Sequence, residues 1–178
     1  MRLWKAFCRN GKRRTKIYEN RGCLLFHERE HSFGCQKVAE GAGADLIEIK
    51  PEKAFPDKGF KKFLWGGKSA VMAETPKLIP YSFNPEQYDR IVIGFPVWAS
   101  NVAPPIRTFA AENKEALRGK EIAAFACQGG SGAEKAFKKL LDCLGGDAFA
   151  ATMILNDPGS QTEKDQAIAS YLQKMYFT

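Results

Sequence analysis

Cys23, His27, His31 and Cys35 recur at every fourth position and offer thiolate and imidazole, the donor set of a zinc ion. On a helix they would share one face, but that face runs through more than three turns, about 18 Å at 1.5 Å per residue. One tetrahedral ion cannot span it, so no metal site is expected. Two later loops offer different chemistry. GFPVWASNVAPP (94–105) leaves an apolar run through Pro96, Val97, Trp98 and Ala99, a flat apolar surface with backbone groups beside it. ACQGGSGAEK (126–135) sets Gln128, Gly129, Gly130 and Gly132 just past another such run, where missing side chains let backbone approach a planar ligand. Together they make two walls of a slot for a ring system. Cys127 beside them reads as a nucleophilic or redox thiol or as a packed strand-end thiol. No histidine from Val38 onward can pair with it, which favours packing.

These loops must be held by the elements between which they fall. From Val38 onward short β-branched runs alternate with helix-period segments, the pattern of a parallel α/β sheet. ADLIEIK (44–50) predicts a strand. RIVIGFPVW (90–98), EIAAFAC (121–127) and ATMIL (151–155) predict three more, apolar on both faces as strands covered by helices on two sides must be. Pro104-Pro105 opens a helix with Ile106, Phe109 and Ala110 inward. Phe137, Leu140, Leu141 and Leu144 line the next, and Gly145 stops it. Ser160 and Glu163 form a capping box for a last helix that buries Ile168, Tyr171, Leu172 and Met175. In such a sheet ligands bind beyond the carboxyl ends of the strands, where strand order reverses, and both loops lie at such ends. The segment from Pro51 to Tyr88 is long for a crossover; its lysines read as a solvated face, and Trp65 either stacks on a ring or anchors the crossover to the sheet.

The 178 residues suffice for one domain with a single core. No apolar run approaches the roughly 18 residues of a membrane span, and the basic opening MRLWKAFCRNGKRR lacks the apolar region of a signal peptide. A cytoplasmic protein is expected. The net charge of +7 is unevenly placed: residues 1–36 hold nine Lys/Arg against three Glu, and the remainder eighteen against seventeen acidic residues. A nucleic-acid role therefore rests on the first fifth of the chain alone, and is not expected. Five cysteines, an odd number without a secretory signal, argue against a disulfide framework.

IVIGFPVWASNVAPPIRTF followed by GKEIAAFACQGGSGAEKAF closely resembles the flavodoxin-like family of small FMN-binding proteins. DLIEIKPEKAFP and GFKKFLWGGKSA extend the resemblance over about residues 37 to 175. It implies a three-layer α/β sandwich on a five-stranded parallel sheet of order 2-1-3-4-5. It also implies FMN as cofactor, with Pro96, Val97, Trp98, Ala99, Gln128, Gly129 and Gly130 flanking the isoalloxazine and Gly132 in the same wall. The implied partner is NAD(P)H or a redox protein, the implied state a monomer or homodimer. Carriers that dock on basic partners need an acidic face, so the near balance of charge beyond residue 36 leans toward an oxidoreductase over a pure electron carrier. A flavodoxin-fold interaction module without flavin is the other reading.

The family's first strand and its phosphate loop, S-x-T/S-G-N-T, should stand just before KVAEG. HEREHS stands there instead. Back-translated and read one base further on, Tyr18 to Ser32 permits MKTVVVYYSTSGNT, an initiator methionine, an apolar strand and the family's loop in order. Lys12-Arg13-Arg14 permits a purine-rich ribosome-binding sequence upstream. Residues 1 to about 36 are therefore expected to be a translation of the wrong frame, with 1–21 a non-native leader and 22–178 the domain. In the chain as written, Cys23 to Phe26 must stand in for the first strand, and the two glutamates of HEREHS repel a phosphate, which weakens FMN binding.

Overall fold

RIVIGFPVW sends successive side chains to opposite sides of the chain, and both sets are apolar, so both faces need cover. The computed structural model, which describes residues 22–26, 32–53, 72–156 and 160–177, supplies it. Its strands are β1 (Gly22–Phe26), β2 (Asp45–Glu48), β3 (Arg90–Trp98), β4 (Asn101–Val102), β5 (Glu121–Gln128) and β6 (Thr152–Asn156). Its helices are α1 (Ser32–Ala42), α2 (Pro104–Glu112), α3 (Ala133–Leu144) and α4 (Gln161–Phe177). The expected leader, Trp65, the crossover lysines from Lys58 to Lys68 and most of HEREHS lie outside the described residues.

Five strands run parallel in the order β2-β1-β3-β5-β6, the expected 2-1-3-4-5 pattern. The interior first position is filled by GCLLF, with Cys23 opposite Asp45 on one side and Ile91 on the other. The expectation of five strands needs one correction. After Trp98 the chain turns back, and Asn101–Val102 pairs antiparallel with Val97–Trp98 as a sixth, two-residue strand.

The sheet divides the core into two layers. Ile91, Ile93 and Phe95 of β3 and Ala124 and Ala126 of β5 pack under α2 and α3, against Ile106, Phe109, Phe137 and Leu140. Val92 of β3 and Ala123, Phe125 and Cys127 of β5 pack under α1 and α4, against Val38, Ile168, Tyr171 and Met175. This is the three-layer sandwich that apolar residues on both faces require. On the second face Phe125 lies over Gly94, where an added Cβ would stand 2.3 Å from the ring, and meets Tyr171 edge-on at 6.4 Å. Leu141 and Leu172, expected inside, are half-buried because they sit at the margins of their helices' inner stripes. Leu46 is 42% exposed, as befits an edge strand.

The helix ends follow the chemistry of their residues. Gly145 is left-handed at φ 68°, and the N–H groups of Gly145 and Gly146 both donate to the Leu141 carbonyl, at 2.9 and 3.3 Å. Ser160 Oγ accepts from the Glu163 N–H at 3.2 Å, and the Glu163 carboxylate accepts from the Ser160 N–H at 3.0 Å. Lys37 of α1 pairs with Asp165, tying α4 to its neighbour. Among the described residues no helix is long and apolar enough to cross a membrane.

Two outcomes follow from this packing. Ser160→Ala is expected to cost about 1 kcal/mol in chemical denaturation. Hydrogen bonds from Ser160, side chain first and backbone second, hold the Glu163 carboxyl below its ordinary pKa. That contribution is present above the unfolded-state value and is lost as pH falls through the depressed native one. Acid unfolding of Ser160→Ala should therefore lose part of its pH dependence in the carboxylate range. The second concerns Tyr171, whose hydroxyl is buried and meets no hydrogen-bond partner among the described residues. Burial drives its phenol pKa up, with Arg90 only partly opposing. Because a desolvated hydroxyl without a partner costs rather than stabilises, Tyr171→Phe is expected to leave the denaturation midpoint unchanged or raise stability by about 1 kcal/mol.

Candidate functional site

The ladder between β3 and β5 runs from Arg90 opposite Glu121 to Pro96 opposite Cys127. Whatever follows the two strands must therefore emerge side by side at one end of the sheet. The first wall is Pro96, buried, then Val97 and Trp98, half-buried, then Ala99, exposed. The second is Gln128, half-buried, with Gly129 and Gly130 exposed and Gly132 leading into α3. All eight residues singled out in the sequence thus lie at the carboxyl ends of these adjacent strands.

The first wall ends in a strained turn. Ala99 and Ser100 both have positive φ, 49° and 58°, in a two-residue connection between β3 and β4. Positive φ at both central positions suits the right-handed twist of a hairpin, yet each non-glycine residue there costs roughly 1–2 kcal/mol. Polar contacts offset the strain. Asn101 Nδ2 donates to the Ala99 carbonyl at 2.7 Å, and Lys139 Nζ donates to the Ser100 carbonyl at 3.3 Å and to Asn101 Oδ1 at 2.5 Å. Strain held in this way is characteristic of sites that must present backbone in one fixed direction.

The second wall is held by its own side chain. Gln128 Oε1 accepts the Ala133 N–H at 3.0 Å, satisfying one of the free donors at the start of α3, and Gln128 Nε2 donates to Asn156 Oδ1 at 3.0 Å. Gln128 therefore offers a ligand chiefly its backbone. Gly132, at φ 107°, has a distinct task. A Cβ there would stand 2.5 Å from Ser100 Oγ and 2.9 Å from Ser100 Cα, so the bare Gly132 is the seat on which the strained turn rests. At Gly130 a Cβ would meet nothing within 4 Å, which leaves that position open to a ligand. A cleft of about 330 Å³ lies against the second wall and the start of α3, lined by Gln128, Ser131, Gly132, Glu134 and Lys135, with Ser100 of the turn at one side and Ile154 of β6 at the other.

Ser100, Asn101, Lys139 and Asn156 escaped the sequence reading. The turn carries no Asn-Gly or Asp-Gly signal, and nothing in AEKAFKKLL distinguishes Lys139 from its solvated neighbours. Cys127 is buried at 5% exposure in the same layer as Cys35. Burial first, and the neighbouring Cys127 second, push the Cys35 thiol well above its ordinary pKa, so Cys35 stays a neutral thiol. Of the residues weighed and set aside as zinc donors, Cys23, His27 and His31 have no described side chains, and among the described residues no group of His, Cys, Asp and Glu is placed to hold a metal. The segment between β1 and α1, where a phosphate loop belongs, lies outside the described residues.

A family model described as flavodoxin matches residues 31–174, from the start of α1 to the last turns of α4. The chain belongs to the flavodoxin family. Among curated proteins nothing matches. Solved structures share the flavodoxin fold. A flavoprotein from Lactobacillus acidophilus in complex with FMN is 21% identical, with a TM-score of 0.65 over 83% of this chain and 98% of that one. The WrbA-like flavodoxin of Agrobacterium tumefaciens is 14% identical, with a TM-score of 0.57 over 86% and 94% of the two chains. A flavodoxin from Fusobacterium nucleatum bound to flavin mononucleotide is 7% identical, with a TM-score of 0.55 over 86% and 95%. At these identities the likeness is one of fold.

The seat at Gly132 yields a direct test in this flavodoxin-family chain. Gly132→Ala places a Cβ against Ser100 at a positive φ, and is expected to destabilise the protein by about 1–3 kcal/mol in urea. The nearby Gly130→Ala has room for its methyl and is expected to cost less than half as much.

Proposed function

We infer that this protein binds one FMN between the Pro96–Ala99 and Gln128–Gly132 walls and acts as an oxidoreductase. The observation that carries this reading is the pair of loops brought together past adjacent strands, one with a half-buried Trp98 and the other open at Gly130. The described end of the site suits a ring: Trp98 offers flat apolar cover, and Ala99 and the open Gly130 offer backbone groups at its rim. Related folds that hold FMN, from Lactobacillus acidophilus and Fusobacterium nucleatum, support the choice of ligand. The flavin when bound supplies the electron-transfer chemistry. The chain's own residues bind and orient it: Trp98 covers the ring and excludes water, and the fixed backbone at Ala99 and Gly130 presents hydrogen-bonding groups to its polar edge.

The near balance of charge from residue 37 onward favours NAD(P)H or a small acceptor as partner over docking on a basic protein through an acidic face. The phosphate end carries the second part of the proposal. Glu28 and Glu30, where the family's loop has small hydroxyl residues and glycine, are chemically opposed to a phosphate. The shifted reading MKTVVVYYSTSGNT restores a loop of the right chemistry at the right distance from Val38.

Fluorescence titration with FMN tests both parts. The written chain is expected to bind FMN weakly, and a version carrying MKTVVVYYSTSGNT across residues 18–31 to bind at least roughly tenfold tighter, the gain of one or more hydrogen bonds to a charged phosphate. Failure of both versions to quench flavin fluorescence would end the flavin reading. Equal affinity for the two, or codons incompatible with the shifted string, would end the reading-frame part alone. NADPH oxidation that depends on added FMN separates an oxidoreductase from a carrier.

A further inference from the structure

We propose that Lys139, outside the ring slot, is a positioning residue that holds the Ala99–Ser100 turn in its flavin-binding shape and sets the potential of the bound flavin. This inference rests on the FMN reading above.

Two positions of α3 act on the turn from one side. Gly132, at the helix start, provides the bare surface on which Ser100 sits. Lys139, seven residues later and so on nearly the same helical face, reaches back to that turn. Its ammonium donates to the Ser100 carbonyl and to Asn101 Oδ1. The second contact fixes the Asn101 amide. With Oδ1 turned to the cation, Nδ2 must face the Ala99 carbonyl, to which it donates at 2.7 Å. Asn101 is 6% exposed, so this amide has little freedom to turn elsewhere. Both carbonyls of a turn with two left-handed non-glycine residues are thereby engaged through one lysine.

Removing the ammonium leaves the strain and frees the carbonyls. The Ala99–Ser100 peptide then samples other orientations, and a flavin that uses this backbone has to order it on binding. A second consequence is electrostatic. Reduction adds negative charge to a flavin, and a cation fixed behind the wall favours the reduced form; its loss therefore moves the midpoint potential to more negative values.

Lys139→Met and Lys139→Arg test this in the full chain. In flavin-free protein, amide hydrogen exchange at residues 100–102 is expected to quicken roughly three- to tenfold in Lys139→Met, the worth of a single net hydrogen bond. The dissociation constant for added FMN should rise by a similar factor, and the midpoint potential should fall. Lys139→Arg, which keeps the charge and donors, should restore all three. Unchanged exchange, affinity and potential in Lys139→Met would overturn the proposal while leaving the FMN reading intact. So would a lowered melting temperature with an unmoved potential, because a lysine that merely braces the fold gives that result. If the unsubstituted chain binds no FMN even at high concentration, the functional reading fails and this one with it, whatever the exchange rates show.

Discussion

The parallel pairing of β3 with β5 is the constraint from which the rest of the site follows. Its register puts Pro96 opposite Cys127, so the Trp98 loop and the Gln128 loop begin at one level and a few ångströms apart. The pairing persists because both strands are apolar on both faces and each face has its own helix layer. Phe125 needs Gly94 beneath it, and the small Ala123, Ala124 and Ala126 let helices approach on either side. A site made of two loops thus inherits its geometry from strand register, which a parallel ladder fixes to the residue.

At the far end of that ladder the energetic logic changes. The strands gain from burial, whereas the turn after β3 holds two residues in a conformation they disfavour. The compensation comes from α3, which gives the turn a glycine to rest on and a lysine to bond to. The second wall uses the same helix, since Gln128 satisfies its first turn. Both walls therefore refer to the start of α3, and movement of that helix would shift the two together. For the proposed flavin slot, which would need a constant width, this common reference is an advantage.

Much of this was legible in the residues, and what was not has a physical reason. β3 and β5 stand where the apolar runs place them, because a strand covered on both faces must be apolar throughout. β6 stands there too, but as an edge strand it buries only Met153 and Leu155 and leaves Thr152 and Asn156 exposed, so the expected cover on both of its faces is not found. The capping box at Ser160 and the stop at Gly145 are local chemistry and read as such. β4 was missed because its turn uses Ala99 and Ser100, neither a turn former at positive φ; only contacts with α3 make the turn tenable. Lys139 was missed for the same reason, as its partners lie 38 and 39 residues away. Gly132 was recognised, but its purpose was taken as access for a ring, whereas its missing side chain makes room for Ser100. Sequence patterns report periodic burial well and contacts between loops poorly.

The contrast between β1 and the segment after it follows from the same distinction. A parallel ladder is built from backbone groups, so GCLLF can take the interior first position between β2 and β3 with no particular side chains beyond apolar bulk. A phosphate loop has no such tolerance. It needs amides turned inward, small residues that allow that turn, and hydroxyls in place of carboxylates. Glu28 and Glu30 fail the last requirement, although the strand before them pairs in full register. On the FMN reading, the sheet order and the two walls do not depend on particular side chains between β1 and α1, whereas affinity for a phosphate would. This chain keeps the fold of its family and the two walls at the ends of β3 and β5, and on the FMN reading the strength of binding would be decided by the stretch of about five residues between β1 and α1.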